Sequence, residues 1–188
     1  MEKPLKQDNH ARQEKADQDL IDFFEQAQTA ILSTVSSNGN PDASYAPVWL
    51  DKDRNFYVYV SSLAKHTANL LYTKKSSVLL IEDQQDATSL FARRRLSLEC
   101  SVELVSIKDP QYRSYLDQFE KKFGEIIKQL RGMDDFKLFR MIPQKGRMVT
   151  GFAAAFQVLG TKIEHHLGGS HFRGGHYRKS SQGRSDNN

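Results

Sequence analysis

Four of the six histidines of this 188-residue chain lie close together near its C-terminus. They occur within the glycine-rich stretch HHLGGSHFRGGHYRK, at His165, His166, His171 and His176. Neutral imidazole is a common protein ligand for metal ions, and neighbouring glycines let the backbone approach a flat cofactor closely. The segment therefore predicts a site for a metal-containing ligand.

The charge of the same segment points to an anionic ligand. Residues 161–188 contain five basic and two acidic side chains, so they carry three of the four net positive charges of the chain. In one and the same ligand, basic side chains can pair with the negative charges while an imidazole binds the metal. A solvated, disordered basic tail without any ligand fits the composition equally well. Spaced histidines without cysteine are a weak match to tetrahedral zinc.

Composition narrows the class of protein. A length of 188 residues with 38% hydrophobic residues is typical of one compact domain. The sequence has no apolar run of about 18 residues, and its first residues are polar where a secretory signal is apolar. We therefore expect a cytoplasmic protein without a membrane partner. The single cysteine, Cys100, excludes an intrachain disulfide and lies in an apolar run, which predicts a buried side chain.

Nucleic acid is not an expected partner. Outside residues 161–188 the net charge is only +1, and no face combining aromatic and basic residues stands out.

The elements that must position the tail are mostly strands. An amphipathic helix is predicted over 16–28 and a short helix over 66–71. Strands are predicted over 30–35, 43–50, 55–60, 77–82 and 94–105, the first two forming a hairpin around Asn38-Gly39.

In the second half, Asp109-Pro110 predicts the start of a helix that continues to Leu130 and stops at Gly132. Two strands, 136–142 and 147–159, follow around a turn at 143–146. Such a pattern predicts a mainly β protein with flanking helices, of the α+β type, built as a closed or partly open antiparallel barrel. We divide the chain into a polar extension (1–14), a barrel domain (15–160) and the basic tail (161–188).

The order of these elements resembles the FMN-binding split-barrel superfamily of pyridoxamine-phosphate oxidase. Particular runs are similar to the HugZ/HutZ family of haem-utilisation proteins within it, over residues from about 15 to 176. They are SYAP (44–47), AKHTANL (64–70), IED (81–83), LFARRRL (90–96), FGEII (123–127), DDFKLFR (134–140) and GFAAAFQV (151–158).

This resemblance implies a homodimer of split barrels that binds haem in a cleft between protomers, with the iron held by a histidine of the tail. Many members open the haem ring oxidatively and release iron. The family's HLxxxH spacing matches His166-Leu167 and His171, which makes His171 the first choice as axial ligand. A second pattern, Gly-His followed by Arg-Lys, matches His176, so both remain open.

The resemblance also suggests roles for charged residues before the tail. Asp135 matches an aspartate that reaches the axial histidine across the dimer and makes the imidazole a stronger donor, although Asp134 could substitute. By strand periodicity Arg93 and Arg95 share one face. The resemblance favours Arg95 near iron-bound oxygen or a water and Arg93 near a haem propionate, whereas a run of arginines can also be a solvated strand edge.

Lys65 and His66 open the predicted short helix, where free backbone amides favour an anion. A contact with a propionate, a flavin phosphate as in flavin-binding relatives, or plain capping would each explain them.

The sequence therefore predicts an oxidoreductase that binds haem and cleaves it with an external electron donor. A haem carrier without catalysis would use the same ligands and stays open. An FMN-dependent oxidoreductase of the same fold is a third hypothesis, but it does not explain the histidines of the tail.

Overall fold

A computed structural model of the protein describes residues 4–167. Its helices are α1 (Pro4–Gln26), α2 (Lys65–Thr73), α3 (Tyr112–Phe123) and α4 (Glu125–Arg131). Its strands are β1 (Thr29–Val35), β2 (Pro41–Pro47), β3 (Trp49–Leu50), β4 (Phe56–Ser61), β5 (Lys75–Ile81), β6 (Arg95–Leu104), β7 (Phe136–Gly151), β8 (Ala154–Leu159) and β9 (Lys162–His166). The predicted axial ligands His171 and His176 lie outside the described residues.

Within residues 4–167 all nine strands belong to one antiparallel sheet. Its order is β2-β1-β5-β6-β7-β4-β3, and β8 and β9 continue from β7. Alternate positions of β1 and β5 are buried, so one side chain in two enters the core. The inward-facing residues include Leu32, Val78, Leu96, Leu98, Met141 and Met148. This curled sheet with flanking helices confirms the mainly β fold predicted from the sequence.

The helices cover different parts of the sheet. α1 buries Ala16, Leu20 and Phe24 in the main core. α3 and α4 bury Leu116, Phe119 and Ile127 against Tyr57, Tyr59 and Leu138 and form a smaller second core. No helix among the described residues is long and apolar enough to cross a membrane.

The single helix predicted from Asp109 to Leu130 was wrong in its middle. α3 ends at Phe123 and α4 begins at Glu125, because Gly124 between them adopts a φ of +78°, outside the helical range. The start was anticipated by Asp109, whose Oδ1 accepts a hydrogen bond from the amide of Gln111 at 2.8 Å. The predicted stop is confirmed, since α4 ends at Arg131 and is capped at Gly132.

The predicted turn at 143–146 was also wrong, because β7 runs through it without interruption. Pro143 pairs with Cys100 beside a bulge in β7 itself, where Gln144 is the extra residue and a missing backbone N–H is tolerated. Gly146 allows β6 to approach closely, since a Cβ there would lie 2.1 Å from the carbonyl oxygen of Ser97. The chain reverses later, between β7 and β8, where Ala153 has a φ of +53°.

Two further differences concern the ends of the described chain. α1 begins at Pro4, well before the predicted helix start near residue 16. β9 was not predicted, and its backbone runs through His165 and His166. The first two histidines of the tail segment therefore belong to the sheet.

Candidate cofactor site

An apolar pocket of about 390 Å³ lies between the β2 and β4 strands and the α3–α4 pair. Phe119, Phe123, Ile126 and Leu130 form its helical wall, and Tyr45 and Tyr59 face them from the strands. Ile126 remains 50% exposed and Tyr45 63% exposed, so the described residues leave the pocket partly open. A pocket with apolar walls and few polar groups is typical of cofactor sites.

His66 is a buried polar group in the wall of this pocket. Its side chain is 9% exposed, and its Nε2 atom is buried without a hydrogen-bond partner. Burial lowers the pKa of His66, and the charge of Asp42 opposes that shift only in part. The imidazole is therefore neutral at neutral pH, with one buried ring nitrogen that has no hydrogen-bond partner among the described residues.

Asp135 holds the loop that leads into α2. Its Oδ2 accepts a hydrogen bond from the hydroxyl of Ser61. Its carbonyl oxygen accepts hydrogen bonds from the amide and the hydroxyl of Ser62, both at 2.7 Å. The β4–β7 ladder, which pairs Ser61 with Phe136, brings these residues together across more than seventy positions of sequence.

Three of the sequence-predicted site residues thus share one end of the barrel. The Ser61 carbonyl accepts a hydrogen bond from the Thr67 hydroxyl at 2.6 Å, which fixes the first turn of α2. That turn carries Lys65, which is exposed, and His66. Asp135 is partly buried, whereas its alternative Asp134 is exposed.

The predicted arginines lie elsewhere. Arg93 precedes β6 and donates a hydrogen bond from its guanidinium to the carbonyl of Glu82. Arg95, the first residue of β6, donates from Nη1 to the carbonyl of Arg93 at 2.9 Å. Arg94 instead forms an ion pair with Asp19 of α1 at 2.7 Å. Arg93 and Arg95 are therefore neighbours, but only Arg95 belongs to the strand from which a shared face was inferred.

Arg95 and the His66 pocket lie on different strands of the sheet. Strands β1 and β5 lie between β6, which carries Arg95, and β2, which carries Tyr45. Three strand spacings amount to about 14 Å along the sheet. On the other side, β7 alone lies between β6 and β4, which carries Tyr59. Arg95 and the strands of the pocket are therefore two to three strand spacings apart in the described chain.

The C-terminal segment leaves the sheet on the Arg95 side. Arg95 pairs with Val149, and Val149 pairs with Ala155. The Ala155 carbonyl accepts a hydrogen bond from the amide of Leu167 at 2.6 Å, so the last described residue lies on the same transverse row as Arg95. The described chain thus ends on the same row as Arg95, three strand spacings from it.

Sequence reasoning missed the pocket wall contributed by α3 and α4. The apolar residues of these helices were interpreted as one buried stripe. The width of that stripe could have indicated a pocket wall, because it is broader than the core alone requires. Four of its residues line the open pocket: Phe119, Phe123, Ile126 and Leu130. Within residues 4–167, no three His, Cys, Asp or Glu side chains come together to hold a metal ion.

Comparison with known proteins identifies the family. Residues 16–150 match the family model of pyridoxamine 5'-phosphate oxidase. The haem oxygenase HutZ of Vibrio cholerae serotype O1 is 33% identical over 183 residues, which cover 97% of this chain and all of that protein. The chain belongs to the HutZ group of the pyridoxamine 5'-phosphate oxidase family. The recognition made from the sequence motifs is thereby confirmed.

Other relatives extend the comparison. The chloroplastic haem oxygenase HOZ of Arabidopsis thaliana is 35% identical over 130 residues, 67% of this chain and 37% of that protein. A crystal structure of Vibrio cholerae HutZ, there described as a haem storage protein, has a TM-score of 0.63 and 34% identity over 66% of this chain and 87% of its own. Campylobacter jejuni ChuZ has a TM-score of 0.74 and 28% identity over 82% of this chain and 63% of its own.

Proposed function

We propose that this protein is a haem oxygenase-like oxidoreductase, which binds haem and opens its ring with electrons from an external donor. The observation that carries the proposal is the apolar pocket with a buried, unpartnered imidazole nitrogen, in a chain whose relatives are named haem oxygenases. An apolar wall suits a porphyrin face, and a neutral imidazole suits iron or a ligand bound to iron.

The residues around the pocket fit haem in further respects. Lys65 lies at the N-terminus of α2, where a propionate would find a cation and free backbone amides. When bound, haem supplies the redox-active iron on which oxygen or peroxide is activated. The chain's own residues hold the porphyrin, exclude water from its apolar face and orient the imidazoles.

The complete site requires two copies of the chain in this proposal. His66 and Asp135 lie beside the loop between β4 and α2, whereas Arg95 and Leu167, the last described residue, share one transverse row of the sheet. A two-fold axis between copies would bring the Arg95 row of one protomer to the His66 pocket of its partner. The tail would then supply His171, or alternatively His176, to the pocket of the other copy.

An uncovered face of the sheet supports this homodimer. Ile31 pairs with Tyr45 on one side and with Leu79 on the other, and Ser33 pairs with Ala43 and Ser77. Ile31, Val35 and Tyr45 are 38%, 44% and 63% exposed, although they occupy regular strands. An exposed sheet face of small and apolar residues fits a second copy of the same face.

Within the assembled site, Arg95 would steady an oxygen ligand or a water through its planar guanidinium, and Arg93 would bind a propionate. Asp135 would accept a hydrogen bond from the axial imidazole. Its Oδ2 is bonded to Ser61, and no hydrogen bond from residues 4–167 reaches its Oδ1. That second oxygen is therefore available to a partner's histidine.

Haem turnover tests the function directly. In air, with ascorbate as reductant, we expect bound haem to lose its Soret absorbance and to yield an open tetrapyrrole and iron. Catalase must be present, because free peroxide bleaches haem without an enzyme, and the product is identified by its mass. Intact haem under several donors would contradict catalysis and favour the storage role given to a solved HutZ structure.

The stoichiometry tests the two-copy site. We expect saturation at one haem per protomer, because a two-fold dimer forms two equivalent clefts. Titration is followed at the Soret band, and the mass of the complex is measured by light scattering. Saturation at one haem per dimer, or a monomeric complex, would contradict this arrangement.

FMN is the alternative cofactor, supported by the match to pyridoxamine 5'-phosphate oxidase. The N-terminus of α2, with Lys65, could bind a flavin phosphate as well as a propionate. Titration of the apoprotein with FMN separates the two: a flavin absorbance band that shifts on binding at micromolar protein would favour the flavin enzyme.

A further inference from the structure

A layer of aromatic rings connects the pocket with the protein surface. Trp49, the only tryptophan of the chain, lies between β4 and α3. Its ring centroid is 5.0 Å from that of Tyr57 and 6.1 Å from that of Tyr115. Tyr57 and Tyr115 are 4.7 Å apart. These three rings are in mutual contact, and all three are oxidisable by one electron.

The same layer reaches the pocket at Tyr59. This side chain is 9% exposed and lines the pocket opposite the helical wall. Tyr57 lies two residues before it on the same face of β4, about 6.6 Å away by strand rise. Phe119 fills the remaining gap, with its ring 6.5 Å from Tyr59 and 6.3 Å from Trp49. From Tyr59 at the pocket to Tyr115, successive ring centroids are therefore no more than 6.5 Å apart.

The layer also contains a proton acceptor. The Tyr57 hydroxyl donates to Oδ2 of Asp51 at 3.3 Å. Burial raises the pKa of Tyr57, and burial together with Tyr112 raises the pKa of Tyr59 to about 12, so both phenols are protonated at neutral pH. A buried phenol that loses an electron must also lose its proton. Asp51 gives Tyr57 a carboxylate for that purpose.

We propose that Tyr59, Tyr57, Trp49 and Tyr115 conduct one-electron oxidising equivalents from the pocket to the surface. The inference rests on the proposed function, since its oxidant is the species formed when peroxide reacts with bound haem. Such an oxidant can attack the protein that holds it. A route that removes it would protect the site when the substrate fails to react.

The electrons and protons balance along this route. Tyr57 gives one electron to the oxidant, with Tyr59 between it and the pocket, and its phenolic proton moves to Asp51. Tyr115 then reduces the Tyr57 radical across their 4.7 Å ring contact, beside Trp49, and Asp51 returns the proton. Tyr115 is partly exposed, so its own proton passes to water. A reductant of the ascorbate class restores Tyr115 with one electron, and water returns the proton.

The first experiment uses the full-length apoprotein and needs no haem. Azide radicals produced by pulse radiolysis at neutral pH oxidise indole in preference to a protonated phenol. We expect the Trp49 radical to decay as a tyrosyl radical grows, with a first-order rate independent of protein concentration. Combining Tyr57→Phe with Tyr115→Phe should slow this decay at least tenfold, whereas Tyr72→Phe, on an exposed tyrosine outside the layer, should leave it unchanged.

Phenylalanine retains the packed ring, and the two single variants provide a further check if the double variant unfolds. Each single variant should slow the decay, because each removes one acceptor in contact with Trp49. Decay that depends on protein concentration, or equal decay in the variants, would overturn the route. Either of these results would contradict the radical route without contradicting the haem oxygenase proposal. Conversely, a protein that binds no haem would contradict the haem oxygenase proposal, but electron transfer from Tyr57 and Tyr115 to the Trp49 radical could still be measured.

The second experiment adds peroxide to the haem-loaded protein. We expect a tyrosyl radical in the electron paramagnetic resonance spectrum that is lost when Tyr57 and Tyr115 are both phenylalanine. Oxidative cross-linking of the protein should rise severalfold in that variant. A radical unchanged by both substitutions would show that the oxidant leaves the pocket by another path.

Discussion

Replacing His171 with alanine is expected to weaken haem binding at least tenfold, about 1.4 kcal/mol, and to change the spectrum of the iron. Loss of the axial donor removes a direct bond to the metal, whereas loss of a neighbouring histidine does not. Affinity is measured by titration at the Soret band, and the ligand state by absorption and electron paramagnetic resonance. Added imidazole should restore much of the original spectrum.

Three other histidines are matched controls for that variant. His165→Ala and His166→Ala should have little effect, because both residues belong to β9. A larger effect of His176→Ala than of His171→Ala would transfer the axial role to the second family pattern. If none of the four substitutions matters, the tail does not hold the iron, and His66, whose Nε2 is unpartnered, becomes the next ligand to test.

The strands that the sequence predicted well depend on local interactions. The β1–β2 hairpin was predicted from Asn38-Gly39, and Gly39 indeed has a φ of +82°. β7 was predicted as two strands because Pro143 and Gly146 usually interrupt strands. Both are tolerated for tertiary reasons. Pro143 lies beside the bulge at Gln144 in β7, and Gly146 allows the close approach of Ser97. Neither reason is visible in a local pattern.

The site was predictable only in part for the same reason. Lys65 and His66 were identified from a helix start, which is local. Their proximity to Asp135 depends on the pairing of β4 with β7, and the sequence alone does not place two such distant segments side by side. Arg93 and Arg95 were assigned one face by strand periodicity, but the strand begins only at Arg95. The family resemblance implied a site shared between two copies, but strand periodicity and helix starts are local patterns and do not give the positions of Arg95 and His66 relative to one another.

Asp135→Asn is expected to slow haem opening at least about tenfold while haem affinity changes little. The side-chain carbonyl of asparagine can still accept the hydrogen bond from Ser61, so the loop before α2 should keep its shape. The NH₂ group of asparagine would then lie next to the axial imidazole. It is a hydrogen-bond donor, whereas the ring N–H needs an acceptor. The imidazole would donate less strongly to iron, although the iron–nitrogen bond itself would survive.

The neighbouring residue supplies a control of equal charge. Asp134 is exposed, so Asp134→Asn removes the same charge without altering the proposed contact. Soret decay with ascorbate and catalase is compared for the two variants, each at saturating haem, and affinity is measured separately. Equal rates of haem opening in both variants would exclude a positioning role for Asp135.

If Asp135→Asn lowers haem affinity and rate in parallel, this carboxylate maintains the shape of the pocket and does not adjust the donor strength of the histidine. A slow Asp135→Asn enzyme with normal affinity would instead place that carboxylate beside the axial imidazole. In the proposed two-copy site, that imidazole belongs to the partner subunit.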